Sequence, residues 1–179
     1  LPVNLSRLSM NIEYNKFKNI EIYPAAAFSE NTYLSIKNFN VYGYCVSGSV
    51  VSACSNSIPA SQIQAFCLDH LPQKFSRRSL IKIDTEGTEN HVVAGASSFL
   101  EARSWFLCES TNFRTAEQLD QIFCKSNYSF FVVDDQKGSI SRSNSLSPCF
   151  DGGKLSMNLL NRLVVPTEDV EQLPSILGN

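Results

Sequence analysis

An α/β fold built on a mostly parallel sheet is what this sequence predicts, and three observations predict it. The run LIKID, residues 80–84, is short and almost continuously apolar, as a strand buried on both faces is. Directly after it, Glu89, Val92, Val93, Ala96, Phe99 and Leu100 recur at helical spacing, which makes 88–102 an amphipathic helix. The alternation then repeats: SWFLCES reads as a strand, TAEQLDQIFCKS as a helix, YSFFVVDD as a strand, and LLNRLVVP as a last strand after a Gly/Ser-rich loop. Strands separated by helices of this length imply right-handed βαβ units.

The N-terminal half adds elements of a different kind. Leu5, Leu8, Ile12 and Met10 predict a helix that closes near Asn15, with Asn4 or Ser6 as its cap. IEIYPAA is β-branched and aromatic and predicts a strand, and the alternating runs TYLSIK and FNVYGYCVS predict antiparallel additions or a hairpin. SGSVVSACSNSIPASQ is serine-rich and reads as a surface loop, and order returns at IQAFCLDHL.

With 179 residues, 43% of them hydrophobic, residues 1–179 form a single domain, and a domain of that size buries roughly 70% of its unfolded surface. A net charge of −2 and a pI near 5.7 leave no broad basic surface, so nucleic acid is not the expected principal partner. No apolar run approaches the ~20 residues that span a bilayer, and the opening residues alternate apolar with polar groups where a signal peptide would be uniformly apolar. Six cysteines raise the question of disulfides or zinc, but the closest pair is nine positions apart and there is no C-x-x-C. Cys67, Cys108 and Cys124 sit in apolar stretches, so reduced structural thiols and a cytoplasmic setting are expected.

The densest polar feature is Asp84-Thr85-Glu86-Gly87-Thr88-Glu89, at the junction of the LIKID strand and its helix. Ligands of open α/β sheets bind outside the carboxyl ends of the strands, so Asp84 and Glu86 are expected to face a crevice, while Gly87 lets the backbone turn. Three carboxylates within six residues repel one another unless a cationic or proton-sharing group stands nearby. Glu89 also has a purely structural reading: an acid in the first helical turn favours the positive end of the helix dipole, with Thr85 or Thr88 as a cap.

The stretch LIKIDTEGTENHVVAGASSFL resembles the signature of the FkbM methyltransferases, a K-I-D-x-E-G-x-E block followed by a helix that ends in a Gly-Ala pair. Here these are Lys82, Ile83, Asp84, Glu86, Gly87, Glu89, Gly95 and Ala96. Upstream, the proline-and-asparagine start, the first helix, the alanine-rich turn after IEIY and the Leu68, Asp69, Leu71 pattern are similar to that family in the same order, and WFLCES resembles its next strand. The likeness covers roughly residues 1–112.

It implies a Rossmann-like class I sheet, mostly parallel with an antiparallel portion, and transfer of a methyl group from S-adenosylmethionine to a small-molecule hydroxyl, a sugar or another. Ala26, Ala27 and Phe28 would lie near the adenine, Asp84 and Glu86 near the acceptor or the donor's amino acid portion, and Asp84, Glu86 and Glu109 would carry catalysis. Asp84 is the first choice of general base and Glu109 the second, with His70 and His91 as solvated helix residues. The family's glycine-rich donor turn and ribose-binding acid would precede Leu1. The first strand or strands are therefore expected to come from a missing N-terminal segment or a second chain. Two rival readings stand beside this one: a non-catalytic binding or assembly module on the same scaffold, and a hydrolase using the acidic block as a magnesium site, although no further ligand at suitable spacing supports a metal.

Overall fold

A computed structural model describes residues 2–36, 50–51, 62–71, 78–85 and 87–173. The FNVYGYCVS strand, most of the serine-rich loop, Cys45, Cys54 and Glu86 lie outside the described residues. The chain is mixed α/β. One sheet of five strands carries β5 (Leu80–Ile83), β6 (Trp105–Glu109), β7 (Tyr128–Asp134), β8 (Ser139–Ser143) and β11 (Asn161–Pro166) in the order β5-β6-β11-β7-β8. A second sheet has the order β1-β4-β2-β3, from β1 (Ala26–Phe28), β2 (Thr32–Ile36), β3 (Val50–Val51) and β4 (Gln62–Cys67). The expected Gly/Ser-rich loop holds β8 and a small hairpin of β9 (Phe150–Asp151) and β10 (Lys154–Leu155).

The expected parallel majority is not present in the pairings. Among the described strands only β5 with β6 and β1 with β4 pair in parallel. The reason lies in the last apolar run: Arg162 to Pro166 are all buried, and β11 buries them by returning antiparallel between β6 and β7. Alternate residues then serve opposite faces of the sheet. On one face Ile83, Phe106, Cys108, Phe130 and Val164 pack against α2 (Glu89–Ala94), α3 (Ser97–Glu101) and α4 (Phe113–Lys125) through Val93, Ala96, Phe99, Leu119 and Phe123. Trp105, Leu107, Phe131, Leu163 and Val165 fill the other face beneath the short helical turn Thr167–Gln172. That turn is fixed by Asp169, which accepts from the Trp105 indole at 2.7 Å and pairs with Arg78.

Two further departures from the sequence reading have local causes. The expected strand IEIYPAA shrinks to Ala26–Phe28, because Pro24 has no N–H and the Ala25 N–H is taken by the Tyr23 carbonyl at 2.8 Å. The expected single helix over 88–102 is two helices that meet at Gly95-Ala96. Gly95 lies so close to β1 that a Cβ there would overlap the Phe28 carbonyl oxygen, while its own carbonyl accepts the Asp69 N–H at 3.0 Å and the Cys67 thiol at 3.0 Å. Asp69 then caps the new start of α3, accepting from the Ser97 and Ser98 N–H groups at 3.0 and 2.8 Å. The break thus clamps the second sheet onto the helices that cover the first.

The N-terminal helix, α1 (Pro2–Tyr14), ends one residue short of Asn15 as expected. Its apolar stripe is partly open: Leu8 and Met10 are exposed, and Leu5 and Leu8 line a groove of about 500 Å³ with Ile22, Tyr23, Pro24, Ala26 and Ile63. Each sheet also ends in an open strand among the described residues, β1 in one and β5 in the other, and Leu80 on β5 is 65% exposed.

The closeness of Gly95 to Phe28 gives a direct expectation. Gly95→Ala adds a methyl group where backbone must move to admit it, which costs about 1–3 kcal/mol. Urea unfolding should show a lower midpoint with unchanged slope, and an unchanged midpoint would contradict this packing.

Candidate active site

The turn between β5 and α2 is built around one side chain. Glu89, in the first turn of α2, is only 2% exposed, and its Oε1 accepts from the Thr85 N–H at 3.1 Å, the Thr85 hydroxyl at 3.2 Å and the Gly87 N–H at 3.0 Å. A buried carboxylate is costly unless donors surround it, and three donors on one oxygen supply that compensation. Thr88 occupies the cap position without using its side chain as a cap; its hydroxyl donates back to the Thr85 carbonyl at 3.3 Å. Glu89 thus has a structural role, but not the expected one: it holds the turn that precedes α2, and neither threonine side chain caps the helix.

Gly87 has φ +105, a conformation that L side chains rarely adopt, so glycine is required at this turn. A Cβ there would also press on the Asn112 side-chain amide at 3.2 Å. Asn112 is the N-cap of α4, accepting from the Thr115 N–H at 2.8 Å, and the Thr115 hydroxyl donates to the Gly87 carbonyl at 3.1 Å. The tight turn and the start of α4 are therefore one locked unit. Beneath it the Cys108 thiol on β6 is pushed up to about 12, first by burial and then by the charge of Glu89, so it stays protonated and packs as a small apolar group. The four described cysteines are free thiols, with Cys108 buried and Cys67 and Cys149 partly buried, whereas Cys124 is exposed and does not pack as the expected structural thiol.

The register of β5 on β6 pairs Ile83 with Cys108, so the next positions on these parallel strands, Asp84 and Glu109, emerge side by side at their carboxyl ends. Asp84 points to solvent, its side chain 51% exposed, with Lys82 Nζ 3.6 Å from its Oδ2. Glu109 is half-buried and faces Asn161 across the antiparallel pairing with β11. Lys82 Nζ also donates to Asn161 Oδ1 at 3.0 Å, and Asn161 Nδ2 donates to Asp135 Oδ2 at 2.9 Å. A polar rim thus runs from Asp84 through Lys82 and Asn161 to Asp135 along the carboxyl ends of β5, β6 and β7. At its far end the Asp134 carboxyl is held below its ordinary range by the Lys137 backbone N–H and by hydrogen bonds from Lys137 and Asn158 side chains.

Ala26, Ala27 and Phe28 form β1, pairing in parallel with Ala65, Phe66 and Cys67. Phe28 does not stand apart from the signature helix: its ring stacks on His91 of α2, centroids 4.5 Å apart and planes 19° from parallel. Sequence reasoning reads His91 as a solvated helix residue, and it is exposed, but the stack makes it the bridge between β1 and the signature helix. Nothing in the local sequence signals that contact, since it joins positions 63 residues apart. His70 is exposed, with Nδ1 3.0 Å from Asn31 Oδ1.

On the other side of His91 lies a cleft of about 310 Å³ between α2 and α4, lined by Gly87, Thr88, Asn90, His91, Arg114, Thr115 and Gln118. Asn90, Arg114, Thr115 and Gln118 are not legible in the sequence as cleft residues, because nothing in a helix's periodicity tells which polar residue of one helix faces another helix. Among the described residues no group of three or more His, Cys, Asp or Glu side chains could hold a metal ion, and no helix is long and apolar enough to cross a membrane. No protein-family model, no curated protein and no solved structure matches the chain.

The Glu89 turn can be tested by its energetics. Glu89→Ala leaves the Thr85 and Gly87 N–H groups unpartnered inside the turn and should cost about 1–3 kcal/mol in chemical denaturation. Glu89→Gln keeps an acceptor oxygen and should lose less, since neutral hydrogen bonds are about half as strong as charge-assisted ones. Equal stability for both variants and the parent would show that the carboxylate does not hold the turn.

Proposed function

We propose that the chain is an S-adenosylmethionine-dependent methyltransferase, or part of one, that methylates a hydroxyl on a small molecule such as a sugar. The observation that carries this reading is the parallel pairing of β5 with β6, which ends at Ile83 and Cys108 and so brings Asp84 and Glu109 to neighbouring strand ends, with a glycine turn locked by Glu89 directly after Asp84. Open α/β sheets bind their ligands at such strand ends. The antiparallel strand lodged in the sheet, β11, is in keeping with the antiparallel portion that the FkbM resemblance implies. Contact between β1 and α2 through Phe28, His91 and Gly95 also supports it, because it joins the residues expected near the adenine to the signature block.

In this reading the donor supplies an electrophilic methyl group. Asp84, the solvent-facing carboxylate at the rim with Lys82 Nζ 3.6 Å away, would take the proton from the acceptor hydroxyl. Glu109, half-buried one strand away, is the second acid of the rim, and Glu86, next to Gly87, belongs to the same proposal. The groove beside Ala26 offers an apolar wall of the kind an adenine ring packs on, and among the described residues no carboxylate lines it.

The open edges of β1 and β5 favour one addition to the reading. An apolar edge strand with unpaired backbone groups is a pairing site, so strands supplied from outside the described residues, by another segment or a second chain, would complete the sheet there. Without them the scaffold corresponds to the binding module that is the rival reading.

Calorimetry with S-adenosylmethionine on this chain, and again on an assembly with a completed sheet, separates the two: binding that appears with completion supports the enzyme, and its absence in both supports the module. In the assembly that transfers methyl groups, Asp84→Asn should lower turnover by about a hundredfold or more. Unchanged turnover would remove Asp84 from the mechanism.

A further inference from the structure

The cleft between α2 and α4 has a lining whose hydrogen-bonding capacity can be worked out group by group. Asn90 Nδ2 donates to Gln118 Oε1 at 2.7 Å, which leaves the Asn90 carbonyl oxygen as an acceptor and the Gln118 amide nitrogen as a donor. The Thr88 and Thr115 hydroxyl protons are committed to the Thr85 and Gly87 carbonyls, so both oxygens can only accept. Arg114, at the first turn of α4, adds a guanidinium that forms no ion pair among the described residues, and His91 adds a ring whose orientation is fixed by its stack on Phe28. The described lining thus offers both acceptors and donors beside a single permanent cation, Arg114.

This pattern selects a class of ligand. Donors and acceptors together suit a polyhydroxylated molecule, and a guanidinium with no ion-pair partner among the described residues suits an anion that it can grip through two parallel N–H groups. One permanent cation matches one negative charge, whereas a phosphate brings nearly two. The volume, about 310 Å³, lies at the small end of ligand sites, the size of a single sugar ring. We propose that the α2–α4 cleft binds a monosaccharide bearing a carboxylate, with Arg114 on the carboxylate and Asn90, Gln118 and the two threonine oxygens on ring hydroxyls.

Its position gives that site a role. Gly87 and Thr88 belong both to the cleft and to the turn that comes after Asp84, and His91 joins the cleft to Phe28. As the acceptor subsite this inference rests on the methyltransferase reading and makes the acceptor an acidic sugar; as a binding site for such a sugar it stands without it.

The test is an NMR titration of the full chain with D-glucuronate, with D-glucose as the neutral control and Arg114→Gln as the variant. Arg114 is exposed, so its replacement leaves the fold intact. Glucuronate should shift the amide resonances of Gly87, Thr88 and Thr115 in a saturable way, with a Kd on the order of 1–10 mM for so few contacts. Arg114→Gln should weaken it at least about tenfold, and raising the ionic strength should weaken it as well. No saturable shift, an equal response to glucose, or an unchanged response in Arg114→Gln would overturn the proposal. Glucuronate binding without any methyl transfer to it keeps the site and removes its place in the enzyme reading; methyl transfer to a neutral hydroxyl with no glucuronate binding does the reverse.

Discussion

The buried Glu89 Oε1 gathers the amides of Thr85 and Gly87 and the hydroxyl of Thr85, and most of what is distinctive around the strand end is arranged by that contact. It fixes where β5 ends, so Asp84 leaves the strand toward solvent beside Glu109. It fixes the left-handed backbone at Gly87, whose carbonyl then receives Thr115 and ties the turn to α4. It also fixes the start of α2, and with it the directions of Asn90 and His91 one and two residues on. The acidic cluster of the sequence is thus divided by burial: Glu89 holds the turn, and Asp84 is left at the surface.

A second constraint acts at the other end of α2. A helix running unbroken from 88 to 102 would carry Gly95 past β1, but the backbone stops there because the Phe28 carbonyl is already in contact, and Asp69 caps α3 just beyond the break. The Gly-Ala pair of the signature is therefore a docking point between two sheets. Such a junction brings residues far apart in the chain, on β1 and on α2, into contact. It also means that loss of packing at Gly95 would reach the cleft through the Phe28–His91 stack.

The five-stranded sheet was legible in the sequence wherever hydrophobic periodicity was strong. LIKID, SWFLCES, YSFFVVDD and LLNRLVVP all became strands, and TAEQLDQIFCKS became α4, because burial of these runs leaves few alternatives. The direction of β11 was not legible, since an apolar run buried on both faces reads the same in either direction. The short edge elements were missed for a related reason: Val50–Val51 and the β9–β10 hairpin are too brief to show a period, and the IEIYPAA strand was cut back by a backbone turn at Pro24 that composition does not reveal. Within the site, the position of Asp84 at a strand end and the need for glycine at 87 are readable from residue types in order. Arg114, Gln118 and the role of His91 are not, because they depend on which faces of α2 and α4 meet, and that is decided by the core beneath them.

The Asp84 end of the rim and the Gly87–Thr88 wall of the cleft depend on the Glu89 carboxylate holding the Thr85–Gly87 turn at the edge of the sheet. Hydrogen exchange at individual amides tests that dependence most directly, since both N–H groups have this carboxylate as their acceptor. The Thr85 and Gly87 amides should exchange at least about a hundredfold more slowly than in an unstructured peptide, close to the behaviour of the helix beyond them. Exchange of both amides at the unstructured rate would contradict a turn held by Glu89.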